Sequence, residues 1–122
     1  MSENCTDFVG SICKHVNSVT RHYIDYGPRL VGNLSAVTVS SATATCTADA
    51  ALVIGTPAVV SSQTVVPTKT GTRTIAANQG ISFLLTAGTA IAEDADPVKI
   101  KVSTTLSNGE VWVGTAVLRV SE

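Results

Sequence analysis

The sequence is poor in charge and in aromatic side chains. Only 14% of its 122 residues are charged and 4% are aromatic, and the formal net charge at pH 7 is -1. This balance gives no basic stripe of the kind that binds nucleic acid, so no nucleic-acid partner is expected. A surface with so few charges is weakly protected against association, and it suits a subunit that is covered in an assembly.

Cysteines are few as well, and targeting signals are missing. Cys5, Cys13 and Cys46 are the three cysteines, and no two of them form a CxxC pair. An odd number without paired spacing argues against a disulfide framework and favours a reducing compartment. The first residues form no secretory signal, and no apolar run approaches the ~20 residues that span a bilayer. We therefore expect a chain made in a reducing compartment, without a signal peptide and with no membrane partner.

The patterns that carry catalysis are also missing. There is no GxSxG and no GK[ST] phosphate loop, and His15 and His22 are the only histidines. Glu93, Asp94 and Asp96 lie close together, but their spacing matches no EF-hand, so a solvated turn is the simpler interpretation and calcium the alternative. The sequence predicts no catalytic residues, no metal site, no cofactor and no enzyme activity. A metal-dependent enzyme built on the two histidines and this acidic loop is the contrary hypothesis.

Threonine, serine, alanine and valine fill the chain instead, in short runs separated by glycine, proline and asparagine. Such runs at regular spacing predict an all-β fold of immunoglobulin-like size, an antiparallel β-sandwich over residues 19–122. A small jelly roll or barrel is the alternative. The expected strands are 20–26, 34–45, 51–54, 58–66, 73–77, 81–86, 97–106 and 111–120.

Residues 1–18 differ in character and predict a separate N-terminal helix or arm. Phe8, Val9, Ile12 and Val16 fall on one stripe at helical spacing. A helix this short is marginal alone in water, so it needs a surface to lie against. That surface is either the chain's own domain or a neighbouring subunit, and disorder is the third possibility. The four apolar residues are candidate partner contacts.

The closing stretch predicts a hairpin, because Asn108 and Gly109 lie between two alternating runs. A type I′ turn there would place Leu106 opposite Val111. The second strand would then turn valines inward and leave an apolar face pointing outward. An antiparallel strand that is apolar on both faces suggests a docked partner, whereas a register-flipping bulge or cover by the N-terminal segment are the alternatives. The candidate interface residues on this face are Trp112, Ala116, Leu118 and Val120.

The C-terminal half resembles small virion proteins of tailed bacteriophages, in particular the immunoglobulin-like fibre–tail adaptors. The resemblance is carried by Gly80-Ile-Ser-Phe-Leu-Leu-Thr-Ala-Gly-Thr-Ala90, the acidic loop, Val98-Lys-Ile-Lys-Val-Ser-Thr-Thr-Leu-Ser-Asn-Gly109 and Val117-Leu-Arg-Val120. Tyr23-Ile-Asp-Tyr26 is similar to the opening strand of that group. The resemblance implies an immunoglobulin-like module, present in several copies, that joins a tail or neck to fibres.

These observations give one functional hypothesis and two alternatives. The chain is expected to be a non-enzymatic structural component of a virion, an oligomeric adaptor whose partners are other copies of itself and tail, neck or fibre proteins. A capsid decoration protein differs from this only in where it binds. A carbohydrate- or surface-binding β-sandwich is the second alternative, although such sites present several exposed aromatic side chains and few exist here.

Overall fold

A computed structural model describes residues 7–30, 32–34, 36–68 and 71–122. Over these ranges the chain is an all-β protein with no helix of seven residues or more. Two short 3₁₀ helices, Gly27–Arg29 and Gly32–Leu34, follow the second strand. The strands are β1 (Asp7–His15), β2 (Val19–Asp25), β3 (Val39–Thr45), β4 (Leu52–Ile54), β5 (Ala58–Val59), β6 (Thr64–Thr68), β7 (Gly71–Ile75), β8 (Gly80–Ala87), β9 (Val98–Leu106) and β10 (Val111–Ser121).

The strands form two facing sheets and a separate ribbon. Sheet 1 has the order β1-β10-β9-β3, and sheet 2 has the order β2-β8-β4, with β5 also pairing with β8. The ribbon is the β6–β7 hairpin. The strands of a seven-stranded immunoglobulin sandwich can be numbered in chain order. Its second, fifth and fourth strands lie side by side in one sheet, and its third, sixth and seventh strands form the other sheet. The same two groups occur here, as β2-β8-β4 and β3-β9-β10, so the expected immunoglobulin-like sandwich is confirmed. The first strand differs, because β1 pairs with the last strand, β10, and not with the sheet of the second strand.

The core lies between the two sheets and is built from alternating residues of their central strands. β8 contributes Ile81, Phe83 and Leu85, each of them fully buried. Since successive side chains of a strand point to opposite faces, every second residue of β9 and β10 meets them from sheet 1. Those residues are Ile100, Val102, Leu106, Ala116, Leu118 and Val120.

The hairpin between β9 and β10 lies where the sequence predicts it, but the predicted register differs from the observed one by one residue. Val111 pairs with Thr105, and Leu106 donates its N–H to the carbonyl of Glu110 (2.8 Å). The loop is therefore three residues long, and of these only Gly109 has a positive φ (91°). A two-residue type I′ turn needs two positive φ values, whereas a three-residue loop needs one, at its last position.

This shift reverses the two faces of β10, because one residue of slippage turns every side chain to the opposite side. The prediction that Trp112, Ala116, Leu118 and Val120 point outward is wrong. Ala116, Leu118 and Val120 are at most 1% exposed and belong to the chain's own core. The outward residues of β10 are instead Val111, Val113, Thr115, Val117, Arg119 and Ser121. We call the three valines the valine row.

The helix expected within residues 1–18 is also wrong over Asp7–His15. These residues form β1, which runs parallel to β10 with a register irregularity between Phe8 and Ser11. Gly10, at that irregularity, has φ 127°, which favours glycine. Ile12 is buried in the core and Val16 packs against it, so both contact their own domain. The side chains of Phe8 and Val9, and all of residues 1–6, lie outside the described residues.

Candidate functional site

Trp112 lies on the inner side of β10, at the end of the sandwich, in contact with the segment that follows β2. Its ring is 5.9 Å from the Tyr26 ring, and the Arg29 guanidinium lies 4.8 Å from its centroid. Its indole N–H donates to a carboxylate oxygen of Glu110 (3.2 Å). The stacked guanidinium and the buried tyrosine hold the indole half-buried against its own domain, so it offers no free aromatic platform for a sugar ring.

The valine row occupies the outward side of sheet 1. Val111 is 54% exposed, and Val113 and Val117 are half-buried. β10 therefore does have apolar residues on both faces, as the sequence indicates, although the two sets exchange places. The flanking outward residues of β9 and β3 are mostly hydroxyl-bearing, apart from Lys99 and Lys101. This surface combines small apolar and hydroxyl side chains with three cationic ones, Lys99, Lys101 and Arg119.

A groove of about 650 Å³ runs between β2 and the β6–β7 ribbon. A neighbouring cavity of about 430 Å³ shares Ser11, His22, Tyr23, Asp25 and Arg73 with it. The charged side chains of the groove interact with protein groups. Arg21 donates to the Ser82 hydroxyl (3.1 Å), and Asp25 accepts from the Gly27 N–H (2.9 Å) and lies 3.9 Å from Arg73.

The described lining of the groove combines hydroxyl, charged and apolar side chains. The only histidine that lines it is His22, whose ring packs edge-on against Phe83 at 5.6 Å. A Cβ added to Gly10 would lie 3.2 Å from that ring, so the glycine allows the strand to approach it closely.

The other residues weighed for metal binding are not brought together. His15 lies at the end of β1, where its Nδ1 accepts the N–H of Asn17 (3.0 Å). Glu93, Asp94 and Asp96 are exposed in the loop before β9. Within residues 7–30, 32–34, 36–68 and 71–122, no group of three or more His, Cys, Asp or Glu side chains could hold a metal ion.

A pair of buried charged side chains that was not predicted from the sequence clamps the turn after β8. Lys14 is 4% exposed and its ammonium donates to the carbonyls of Ala87 (2.6 Å) and His15 (2.8 Å). On the other side, Asp49 is 5% exposed and accepts from Thr89, through its N–H (2.8 Å) and its hydroxyl (3.0 Å). Between these anchors, Ala87 and Gly88 both have a positive φ, 62° and 105°. The clamp stabilises a backbone conformation that costs about 1–3 kcal/mol for a residue other than glycine.

The electrostatics of Asp49 follow from its hydrogen bonds. Burial alone would raise the pKa of this carboxyl. The hydrogen bonds from Thr89, Ala51 and Leu52 to the charged form outweigh burial, so the pKa lies below its usual value. A signal was present in the sequence, since Asp49 is the only charged residue between Arg29 and Lys69. An isolated carboxylate in an apolar stretch is retained where backbone donors surround it.

A second buried polar pair joins the two sheets. The hydroxyl groups of Tyr26 and Thr104 lie 2.7 Å apart, and these two residues are 2% and 0% exposed. Burial raises the pKa of Tyr26, although the bond to Thr104 and the charge of Arg29 oppose that shift. The pair fixes the position of the 3₁₀ turn, and with it Arg29 beside Trp112.

Comparisons with known proteins add no relative. No family model, no curated protein and no solved structure matches this chain. In the part of the chain that the structure describes, no helix has both the length and the apolar character needed to cross a bilayer. The resemblance to fibre–tail adaptors therefore stays a prediction.

Proposed function

We propose that this chain is a non-enzymatic structural component of a tailed-phage virion, an adaptor that links tail or neck to fibres. The observation that supports this best is the outer face of sheet 1. There Val111 and Val113 pair with Thr105 and Ser103 of β9, whereas Val117 pairs with Lys99. The valines and hydroxyl-bearing side chains of this face are covered at low desolvation cost when another subunit packs on them. Among the described residues, its charge is confined to the cations Lys99, Lys101 and Arg119.

The fold supports the same proposal. The adaptors that the sequence resembles are immunoglobulin-like modules, and this chain has the two strand groups of such a sandwich. Fold alone does not assign a function, so the outward surface of sheet 1 carries the argument. The carbohydrate-binding alternative has less support, because Trp112 and Tyr26 pack on each other and Phe83 is fully buried.

The direct test is to locate the protein. Particles of the phage that encodes this chain are purified, the chain is quantified by mass spectrometry, and its position is found by cryo-electron microscopy. Density at the tail, neck or fibre junction supports the proposal, whereas density on the capsid surface identifies a decoration protein. Particles that lack the chain would contradict the proposal.

A matched pair of variants tests whether the outer face of sheet 1 makes the contact. Val113→Lys with Val117→Lys places two charges on the valine row. Val53→Lys with Val65→Lys places two charges on exposed valines elsewhere, which are 59% and 61% exposed. We expect only the first double variant to lose incorporation into particles while the isolated chain stays folded. Equal incorporation of both would exclude this face as the contact surface.

A further inference from the structure

The outer edge of β3 differs from the other sheet edges of this molecule. An edge strand presents unpaired backbone N–H and C=O groups, and proteins protect such edges with charge, proline, bulges or short strands. In sheet 1, the opposite edge strand β1 has the inward-pointing Lys14 and the irregular register at Gly10. In sheet 2, β2 carries Arg21 and Asp25 along its edge. Both of these edges are protected.

The remaining edges are protected as well. β4 has three residues and β5 has two, which is too short to pair extensively with another chain. In the ribbon, β6 contains Pro67, which lacks an N–H, and β7 contains Arg73. Each of these strands therefore has at least one of the usual protective features.

β3 has none of them along most of its length. It has seven residues, Val-Ser-Ser-Ala-Thr-Ala-Thr, without charge, proline or glycine. The Val39 N–H donates to the Asn78 carbonyl (2.9 Å), and the only register shift against β9 lies between Val39 and Ser41. Ser41–Thr45 is therefore a regular edge, roughly 17 Å long at the usual rise of a strand.

The inner side of β3 is incompletely covered. Ala42 and Ala44 face the core, and Cys46 follows the strand on the same side, yet all three are only partly buried. β5 of sheet 2 lies close to β3. A further strand on the edge of β3 would extend sheet 1 and remove more of these partly buried side chains from water.

We propose that β3 pairs with β3 of a second copy of this chain, antiparallel and about a two-fold axis, which joins two copies of sheet 1 into one continuous sheet. The proposal deepens the proposed function by naming one partner, and it rests on that function in treating the chain as a component of an assembly. A two-fold contact must be complementary to itself. No charged residue lies between Arg29 and Asp49, so the strand brings no like charges together across the axis.

The outward side chains suit this partner. Ser41, Thr43 and Thr45 are exposed, and serine and threonine pair favourably across antiparallel strands. The contact is small, so we expect a dimer that forms with rising protein concentration rather than an obligate one. Reductant is kept in every experiment, because a disulfide through the exposed Cys13 would give a dimer by another route.

The test combines oligomeric mass with hydrogen exchange. Native mass spectrometry and sedimentation of the wild-type chain should show a monomer–dimer equilibrium across micromolar concentrations. Alternate amides of an edge strand point away from its neighbour, so those of β3 should become protected as the concentration rises. A chain that stays monomeric throughout, with β3 amides that exchange equally at all concentrations, would overturn the proposal.

Two double variants that add the same charge, one on β3 and one on β7, test whether the edge of β3 makes the dimer contact. Ser41→Lys with Thr43→Lys should raise the dimer dissociation constant about tenfold or more, because four lysines meet across the axis. Thr72→Lys with Thr74→Lys adds the same charge to exposed threonines of β7 and should leave the constant unchanged. Equal effects of the two double variants, or no effect of the first, would overturn the proposal.

If the β3 variant fails to fold, the concentration dependence of β3 protection in the wild type decides alone. The result also stands apart from the proposed function. A monomeric chain found at a tail junction overturns only the dimer, and a β3-paired dimer missing from particles overturns only the virion role.

Discussion

At the scale of single residues, the few buried polar groups of this charge-poor chain act as ties between distant segments. Asp49 connects the loop before β4 to the turn after β8 through Thr89. Asp49→Asn would keep one oxygen and replace the other with a donor, leaving an N–H or hydroxyl of Ala51 or Thr89 without an acceptor. We expect the free energy of unfolding at pH 7 to fall by about 1–3 kcal/mol, measured in urea.

The same substitution predicts a pH dependence. The folded-state pKa of Asp49 lies below its unfolded value of 3.8, so its stabilisation is complete above that pH and is lost as the pH falls through the folded value. The stability difference between wild type and Asp49→Asn should therefore shrink as the pH falls from 5 to below 3.8. Asp94→Asn, in the exposed loop, is the control and should match the wild type at pH 7. A difference that stays constant down to acid pH would contradict this account of Asp49.

The Tyr26–Thr104 pair allows a double-mutant cycle. Tyr26→Phe and Thr104→Val each leave one buried hydroxyl without its partner, which costs about 1–3 kcal/mol. The double variant removes both hydroxyls, so its loss should be smaller than the sum of the two single losses. Chemical unfolding of the four proteins measures the cycle. Strict additivity would show that the two hydroxyls do not depend on each other.

At the scale of elements, the turn between β9 and β10 sets the orientation of the whole last strand. Gly109→Ala should lower the free energy of unfolding by about 1–2 kcal/mol, because φ is 91° there and open space surrounds the position. Gly109→Asn should cost less, since asparagine tolerates a positive φ. Urea unfolding at one protein concentration compares the two. Equal losses would mean that backbone conformation is not the cause.

This turn also explains how far the sequence could predict the fold. The Asn108-Gly109 pair located the hairpin correctly, and glycine, proline and asparagine separated most strands where the structure separates them. Loop length was not decidable from the pair, since two-residue and three-residue hairpin loops both accept Asn-Gly. Because the predicted loop was one residue too short, the prediction placed the valine row inside the sandwich and Ala116, Leu118 and Val120 outside it.

The N-terminal strand was missed for a different reason. Ile12 and Lys14 point inward while Ser11, Cys13 and His15 are exposed, which is an alternating pattern. From the sequence, a lysine on the buried side contradicts a strand, and the apolar residues also fit a helical stripe. The contradiction is resolved by the carbonyls that accept from the Lys14 ammonium, those of His15 and of Ala87, and Ala87 lies far away in the sequence.

At the scale of the whole molecule, two sheets with complementary inner faces account for the fold, and the outer face of sheet 1 keeps the valine row at the surface. The composition predicted a surface suited to assembly but could not place it, because both faces of β10 are apolar. Only the pairing of β10 with β9 decides which set is buried. The buried and the outward apolar residues of β10 are therefore distinguished by register and not by hydrophobicity.

Leu118 tests that distinction directly. It is 0% exposed between the sheets, so Leu118→Ala should lower the free energy of unfolding by about 2–5 kcal/mol. Val53→Ala, at a valine that is 59% exposed, should change it by no more than about 0.5 kcal/mol. Unfolding is measured at one protein concentration, because association would add its own stabilisation. A Leu118→Ala variant as stable as the wild type but altered in oligomeric mass would instead return Leu118 to an outward face, and the register of β10 described above would be wrong.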